Sequence, residues 1–470
     1  MKMPRQLLVA ALAAATLVVT AAPAMPAAVA PAPAGPDLSE YSWKPIYGAT
    51  SAALSNGNIL VIESVGDDLI LGGDFTDFAG INAADRLVRW DGSEQEWQAI
   101  GSVGEGDGAI TAGSVKAIEV SGSTIYIGGD FTVTDYLGSP RANLAWYTLP
   151  DPTFTGYWDY AWRGFDGDTG LGSDVIDNGS VNTIFADERS GVLYVGGQFS
   201  NGYALPNADH LILGTYNACL TVLGACSATL PHVSACGGVS ISCTVSAPNV
   251  WSAASDDGAG GPALTSFVSS IYAHPDGGVI VSGNFGGAGG VTDANSVAHF
   301  VGPYESPAWI AQSGVPSVTM YPTDALDTAL YVAGWEGAYQ RTAGATWSEI
   351  CASALHISGA TWAGIAAVSS TLVFVGSSLG LFACNPTTGG ATQVLDAGPV
   401  YRLAMHNGEL IVTGGLGVGS IGDAGNYVAR YSADLPPTNR DADRNTNTTL
   451  LLIALAALTG LAGVQIRRCA

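Results

Sequence analysis

The stretch Leu69-Ile70-Leu71-Gly72-Gly73-Asp74-Phe75 decides the fold, because the chain keeps returning to it. It recurs as Ile125-Tyr126-Ile127-Gly128-Gly129-Asp130-Phe131 and as Leu193-Tyr194-Val195-Gly196-Gly197-Gln198-Phe199. Weaker copies are Val279-Ile280-Val281-Ser282-Gly283-Asn284-Phe285, Leu330-Tyr331-Val332-Ala333-Gly334-Trp335, Leu372-Val373-Phe374-Val375-Gly376-Ser377 and Leu410-Ile411-Val412-Thr413-Gly414-Gly415. An apolar run rich in β-branched and aromatic residues that stops at glycine reads as a strand with a turn behind it. Seven copies make a repeat architecture, in which each unit buries its apolar face against the next.

The first copy shows the rest of the unit. After Asp74-Phe75 and a polar loop, Leu87-Val88-Arg89-Trp90 alternates as a strand and Asp91-Gly92 marks a turn. Trp97-Gln98-Ala99-Ile100 gives another strand, and the run from Val115 to Val120 opens the next unit. Each unit therefore offers about four short strands, the content of one propeller blade. The expected fold is all-β, a seven-bladed β-propeller over residues 35–437, with six and eight blades as the neighbouring counts. The glycines are expected on an inner strand, where a crowded axis leaves no room for Cβ. The Phe that follows them is expected to anchor the core between blades.

The last unit contains Tyr427-Val428-Ala429-Arg430-Tyr431 and then lacks a Trp-x-x-Ile strand. Trp43-Lys44-Pro45-Ile46, at the other end of the chain, has that pattern. The N-terminal strand is thus expected to complete the last blade, which ties the ring and removes an open sheet edge.

Composition agrees with an all-β, turn-rich body: 62 of 470 residues are glycine and only 12% are charged. The net charge is −24, and the lysines number three: Lys2, Lys44 and Lys116. A nucleic-acid partner needs a basic surface to displace counterions, so that class is excluded. The histidines show no metal-ligand spacing, and no Ser sits in a Gly-x-Ser-x-Gly elbow.

The ends carry an address. Lys2 and Arg5 precede an apolar run and a small-residue exit, the layout of a secretory signal peptide, and residues 1–34 are assigned to that signal and an Ala/Pro linker. Residues 450–466 are apolar and just long enough to span a bilayer, and Arg467 and Arg468 follow. By the positive-inside rule, residues 467–470 form a cytoplasmic tail and the body lies outside. Residues 438–449 form a polar linker. The expected location is the cell surface, single-pass in the membrane or attached to the cell wall.

Two resemblances add to this. Gly-Gly-x-Phe followed by a polar loop, clearest from Gly128 to Trp146 and from Gly72 to Trp90, resembles delta-sixty-type repeats of bacterial surface proteins and the propeller of fungal cortical marker proteins. That resemblance implies a propeller on an exported, often membrane-anchored protein and implies no single activity. Leu435-Pro436-Pro437-Thr438-Asn439, ahead of the polar linker and apolar segment, resembles a sortase-type (LPxTG-like) sorting signal, with Asn439 where that family has Gly. The resemblance implies cleavage after Thr438. Plain membrane retention is favoured over sorting.

Two stretches interrupt the repeats, and chemistry is expected there. Residues 153–177 hold Tyr157, Trp158, Tyr160, Trp162, Asp166 and Asp168. Aromatic faces beside carboxylates suit sugar stacking, and they equally suit blade-edge packing. Asp166, Asp168 and Asp174 form a calcium candidate, but the full loop pattern is absent and a solvated turn is the favoured reading. Beyond calcium, no cofactor is expected. Residues 202–262 hold Cys219, Cys226, Cys236 and Cys243, which an exported chain oxidises to two disulfides in one of three connectivities. Cys351 and Cys384 fall in neighbouring units and suit an inter-blade bridge.

The expected function is a non-enzymatic binding or adhesion module for an extracellular protein or carbohydrate, held to the membrane by its C-terminal helix. A surface glycan-active hydrolase or lyase on the same scaffold is one alternative. A structural cell-envelope component is another.

Overall fold

A computed structural model describes residues 35–432, apart from residues 40, 49–55, 102–107, 123, 135–139, 149–162, 165–175, 177, 189, 203–204, 206, 216–249, 255–262, 302–307, 316–319, 327, 336, 343–345, 356–361, 397 and 416–427. The described chain forms seven antiparallel sheets, and sequence order matches spatial order within five of them. Blade one is Ile59–Val65, Asp68–Gly73, Leu87–Asp91 and Glu96–Ala99. Blade two is five-stranded: Ile110–Ala112 and Val115–Ser121 both pair with Thr124–Thr134, and Pro140–Thr148 and the short Arg163–Gly164 follow. Blade three is Ser180–Asp187, Val192–Gln198, Leu211–Thr215 and Val250–Ala253. Blade four is Val268–Ala273, Val279–Gly283, Val297–Val301 and Ala308–Ala311. Blade five is Met320–Leu326, Ala329–Gly334, Gly337–Arg341 and Ser348–Ile350. Blade six is Trp362–Ser369, Leu372–Ser377, Gly380–Asn385 and Gly390–Leu395.

The seventh sheet breaks the sequence order. Val400–His406, Glu409–Gly414 and Val428–Ser432 are joined on their outer edge by Ser42–Pro45. The register pairs Trp43 with Tyr431 and Lys44 with Arg430, so the N-terminal strand completes the last blade as the sequence suggested. Ile46, like Ile100 and Ile350 in the same pattern, is buried. Tyr47 then reaches both neighbouring blades. Its hydroxyl donates to Glu409 Oε2 at 2.8 Å, its carbonyl accepts from Trp97 Nε1 at 2.7 Å, and its ring lies 5.4 Å from that of Trp90. Arg430 stands 4.2 Å above the same ring and pairs with Glu409 at 2.6 Å.

The first strands of successive blades lie side by side, and Ile59–Val65 of blade one meets Val400–His406 of blade seven. That closes the ring and makes the first strand of each blade the innermost. The glycine phrase therefore occupies the second strand, which corrects the expectation that it lines the axis. Its glycines answer to a different neighbour. A Cβ on Gly72 would come within 2.7 Å of Cγ1 of both Val61 and Val115, the inner strands of its own and the next blade. Gly128 stands in the same way against Val181 and Ile184, and Gly196 against Val268 and Ile271. Glycine is thus required where one blade's second strand presses on the next blade's inner strand. The Phe after it is a core anchor: Phe75, Phe131, Phe199 and Phe285 are all buried.

Cys351 follows the outer strand of blade five and is bonded to Cys384 in the third strand of blade six, with Cα atoms 6.0 Å apart. The expected inter-blade bridge is therefore present. Closing a loop of 33 residues stabilises the fold by about 3–4 kcal/mol on chain-entropy grounds. The span 202–262, read from the sequence as an excursion, supplies the two outer strands of blade three, because Leu211-Ile212-Leu213 and Val250–Ala253 pair across it.

Candidate functional site

Every inner strand loses register with its second strand near its start. The shifts fall between Ile59 and Val61, Val115 and Ala117, Val181 and Thr183, Val268 and Ser270, Met320 and Thr323, Trp362 and Gly364, and Val400 and Arg402. A bulge inserts a residue with no partner across the ladder and re-aims its side chain. The residues so placed are Leu60, Lys116, Asn182, Ser269, Ala363 and Tyr401, with Tyr321-Pro322 in blade five. Six of them, joined by Phe267 and Arg402, line one cavity of about 300 Å³. All eight lining residues are half-buried.

The repeated phrase positions this rim. Asp74 accepts hydrogen bonds from the backbone and side-chain amides of Asn58, one residue ahead of the inner strand of blade one. Asp130 does the same for Ser114, accepting from its N–H at 3.0 Å and from its hydroxyl. Asp130 also accepts from Lys116 Nζ at 3.0 Å. Partial burial pushes the Asp130 carboxyl up, but the bonds from Ser114 and Lys116 outweigh it and hold the group below the usual carboxylate range. Hence Asp130 is ionised at neutral pH.

From Lys116 a polar chain runs around the rim. Lys116 Nζ donates to Ser180 Oγ at 3.1 Å, that hydroxyl donates to Asn182 Oδ1 at 3.3 Å, and Asn182 Nδ2 donates to the carbonyl of Val268 at 3.1 Å. Next along the ring, the Ser269 hydroxyl is shielded from solvent and has no hydrogen-bond partner. On the far side, Arg402 Nη1 donates to the carbonyls of Ala363 at 3.3 Å and Tyr401 at 3.0 Å. Among the described residues, no Asp, Glu or His lines the cavity. The described lining offers hydrogen-bond donors, two cations and two aromatic rings.

The sequence pointed elsewhere. Tyr157, Trp158, Tyr160, Trp162, Asp166, Asp168 and Asp174 lie outside the described residues, as do Cys219, Cys226, Cys236 and Cys243. Leu435, Pro436, Thr438 and Asn439, the signal region and residues 450–466 also lie outside them. Among the described residues, no group of three or more His, Cys, Asp or Glu stands close enough to hold a metal ion, and no helix is long and apolar enough to cross a membrane. The axial rim was missed, although it left a trace. Ile59-x-x-Ile62, Val115-x-x-Ile118, Val181-x-x-Ile184, Val268-x-x-Ile271, Trp362-x-x-Ile365 and Val400-x-x-Leu403 repeat one spacing. Apolar residues three apart on a strand belong to opposite faces unless an extra residue intervenes.

Fold and site together define a seven-bladed propeller with a cavity at the start of its inner strands. The chain matches no family model and no curated protein. Among solved structures it is similar to YCF48 bound to D1 peptide, with TM-score 0.47 and 11% identity over 87% of this chain and 100% of that one. It is similar also to YCF48 from Cyanidioschyzon merolae, with TM-score 0.43 and 8% identity over 84% of this chain and 98% of that one. A third is the extracellular domain of a hybrid two-component system from B. thetaiotaomicron, with TM-score 0.44 and 10% identity over 83% of this chain. The chain spans 39% of that protein's length.

Proposed function

We propose that the protein is a non-enzymatic binding propeller, exported and held at the cell surface, which takes its ligand at the rim of bulge residues. One observation carries this reading. The register breaks at the same place in all seven inner strands, and the six bulge residues with described side chains meet in one cavity. Bulges interrupt the ladder and cost pairing, so their repetition around a cavity fits a site more readily than a stability device. The lining donates hydrogen bonds and presents Phe267 and Tyr401, which supports recognition over bond cleavage.

Binding of the purified full-length chain to glycan and peptide arrays tests the reading. Asn182→Ala and Tyr401→Ala are expected to abolish a positive signal while the thermal midpoint stays unchanged. Hydrolysis of any bound glycan would overturn the non-enzymatic reading in favour of a surface hydrolase or lyase. Export and anchoring rest on the terminal patterns at residues 1–34 and 450–466. Fractionation of cells carrying Thr438→Ala separates membrane retention from wall attachment by a sortase, because wall-linked protein disappears only in the second case.

A further inference from the structure

We propose that the cavity takes a single sugar ring, held between Phe267 and Tyr401 and fixed through its hydroxyls by Lys116, Asp130 and Asn182. The inference rests on the binding reading above and adds the chemistry of what is bound. It starts from the two aromatic residues in the wall. Phe267 immediately precedes the inner strand of blade four, and Tyr401 lies in that of blade seven. Three blades apart in a ring of seven, they border the cavity from opposite sides. Elsewhere in the molecule aromatic rings cover one another: Tyr47 lies on Trp90 at 5.4 Å and Phe78 meets Trp97 at 4.8 Å. Among the described residues, neither Phe267 nor Tyr401 stacks on another aromatic ring, and the Tyr401 hydroxyl has no hydrogen-bond partner. Half-buried rings that border a cavity and have no ring against them suit the C–H faces of a sugar.

From Tyr401 round to Phe267 the wall passes through Leu60, Lys116 and Asn182, on blades one to three. The Lys116 ammonium has three N–H groups and donates to Asp130 Oδ2 at 3.0 Å and to Ser180 Oγ at 3.1 Å, so one remains. The Asn182 amide has two and donates to the Val268 carbonyl at 3.1 Å, so one remains there also. Asp130 Oδ1 takes both bonds from Ser114, whereas Oδ2 accepts from Lys116 alone and keeps a lone pair. This edge of the cavity therefore combines spare donors with a spare acceptor.

That combination selects the ligand's polar group. A hydroxyl accepts one bond and donates another, so it satisfies the ammonium and the carboxylate together. An anion only accepts, and at the ammonium it would meet the negative charge of Asp130. Arg402 carries no part of this assignment, because its Nη1 is engaged by the carbonyls of Ala363 and Tyr401. A ring that bears hydroxyls on its edge and C–H groups on its faces meets both the polar arc and the two aromatic residues. The cavity, at about 300 Å³, lies at the small end of ligand sites, which limits the enclosed part to one such ring.

Calorimetric titration of the full-length protein with the methyl glycosides of D-glucose, D-galactose, D-mannose and N-acetyl-D-glucosamine tests the idea. Cyclohexanol, a ring with one hydroxyl, and D-gluconate, an acid with hydroxyls and no ring, are the controls. At least one glycoside is expected to bind, about ten-fold or more tighter than either control. Tyr401→Ala and Lys116→Met should each weaken that binding by about ten-fold or more, and Lys44→Met should leave it unchanged. Tyr401→Phe keeps the aromatic face and should lose less than Tyr401→Ala. If Tyr401→Ala fails to fold, Lys116→Met and Phe267→Leu carry the test, since leucine keeps apolar bulk and removes the ring. Cyclohexanol binding as tightly as the glycosides overturns the proposal, as does tighter binding of gluconate or no binding of any glycoside. In each of those cases, array ligands that are lost in Asn182→Ala leave the binding propeller standing. Array ligands indifferent to both Asn182→Ala and Tyr401→Ala would remove that reading as well.

Discussion

The inner strands have two ends, and the ends treat polar residues in opposite ways. At the start of each strand, bulges turn Lys116, Asn182, Ser269 and Tyr401 toward a shared cavity, and these side chains are half-buried. At the finish, polar residues are locked into the protein. His274 follows the inner strand of blade four and is 2% exposed; His406 ends that of blade seven and is 1% exposed. His274 stacks on His299 with ring centroids 3.8 Å apart, and Arg341 Nη1 of blade five donates to its Nε2 at 2.8 Å. His299 Nε2 is 2.8 Å from the carbonyl of Gly277. His406 Nδ1 meets Ser64 Oγ of blade one at 2.8 Å. Glu119 Oε1 in blade two accepts from the Ala186 amide of blade three at 3.3 Å. A buried polar group with its partners supplied is structure, and one aimed at a cavity is a candidate for function. Residue type does not separate the two cases, since a histidine is the commoner sign of a site than a serine.

The largest effect should come where both ends depend on the same contact. Gly128→Val drives side-chain atoms into Val181 and Ile184 of the next inner strand, and should cost about 3 kcal/mol or more in urea unfolding. A second test bears on the locked end alone. His274→Ala removes a stacked ring and strips Arg341 of its acceptor, and should cost about 2 kcal/mol by the same measurement.

Acid offers a milder way to disturb that end without mutation. Burial, then His299 and Arg341, lower the His274 pKa to about 4, and its Nε2 lies 2.8 Å from the donor Arg341 Nη1. Burial also lowers that of His299. The unfolded chain binds these protons near the ordinary histidine pKa of about 6.5 and the folded chain does not. Stability is therefore full above about pH 6.5 and is lost as pH falls toward about 4. Chemical denaturation at a series of pH values should show this slope, and a His274→Phe protein should show a shallower one.

The smallest change in stability is expected at the cavity end. Asn182→Ala and Ser269→Ala should each stay within about 0.5 kcal/mol of the parent. A cost equal to that of His274→Ala would erase the distinction between the two ends and make the rim structural.

The difference between the two ends also explains what the sequence discloses. Seven glycine-ended runs name the blades because close packing of adjacent strands leaves glycine as the only residue that fits at Gly72, Gly128 and Gly196. The closing strand was legible because Trp43-x-x-Ile46 repeats a spacing whose Ile is buried wherever it occurs. The bridge from Cys351 to Cys384 was legible from address and neighbouring blades. The rim was not, because bulge residues escape the repeat. Packing fixes their flanks, as in Val115 and Ile118, and leaves the residue between them free to differ from blade to blade. Leu60, Lys116, Asn182, Ser269, Ala363 and Tyr401 share a position and no chemistry, so each looks like an ordinary strand residue until the blades are superposed.

The pairing of Ser42 with Ser432 has a mechanical meaning. The two strands are antiparallel, and the flanking chain leaves both of them from the same end of the ladder. Pulling residues 41 and 433 apart would load the four pairs one after another, as a zipper is opened from its tab, and Tyr47 with Glu409 would be the last clasp to part. A load applied between two inner strands would not open that fork. It would travel through the blades in parallel, where many ladder bonds share it. The ring should therefore yield readily to force across its own seam and resist force that arrives at its inner strands.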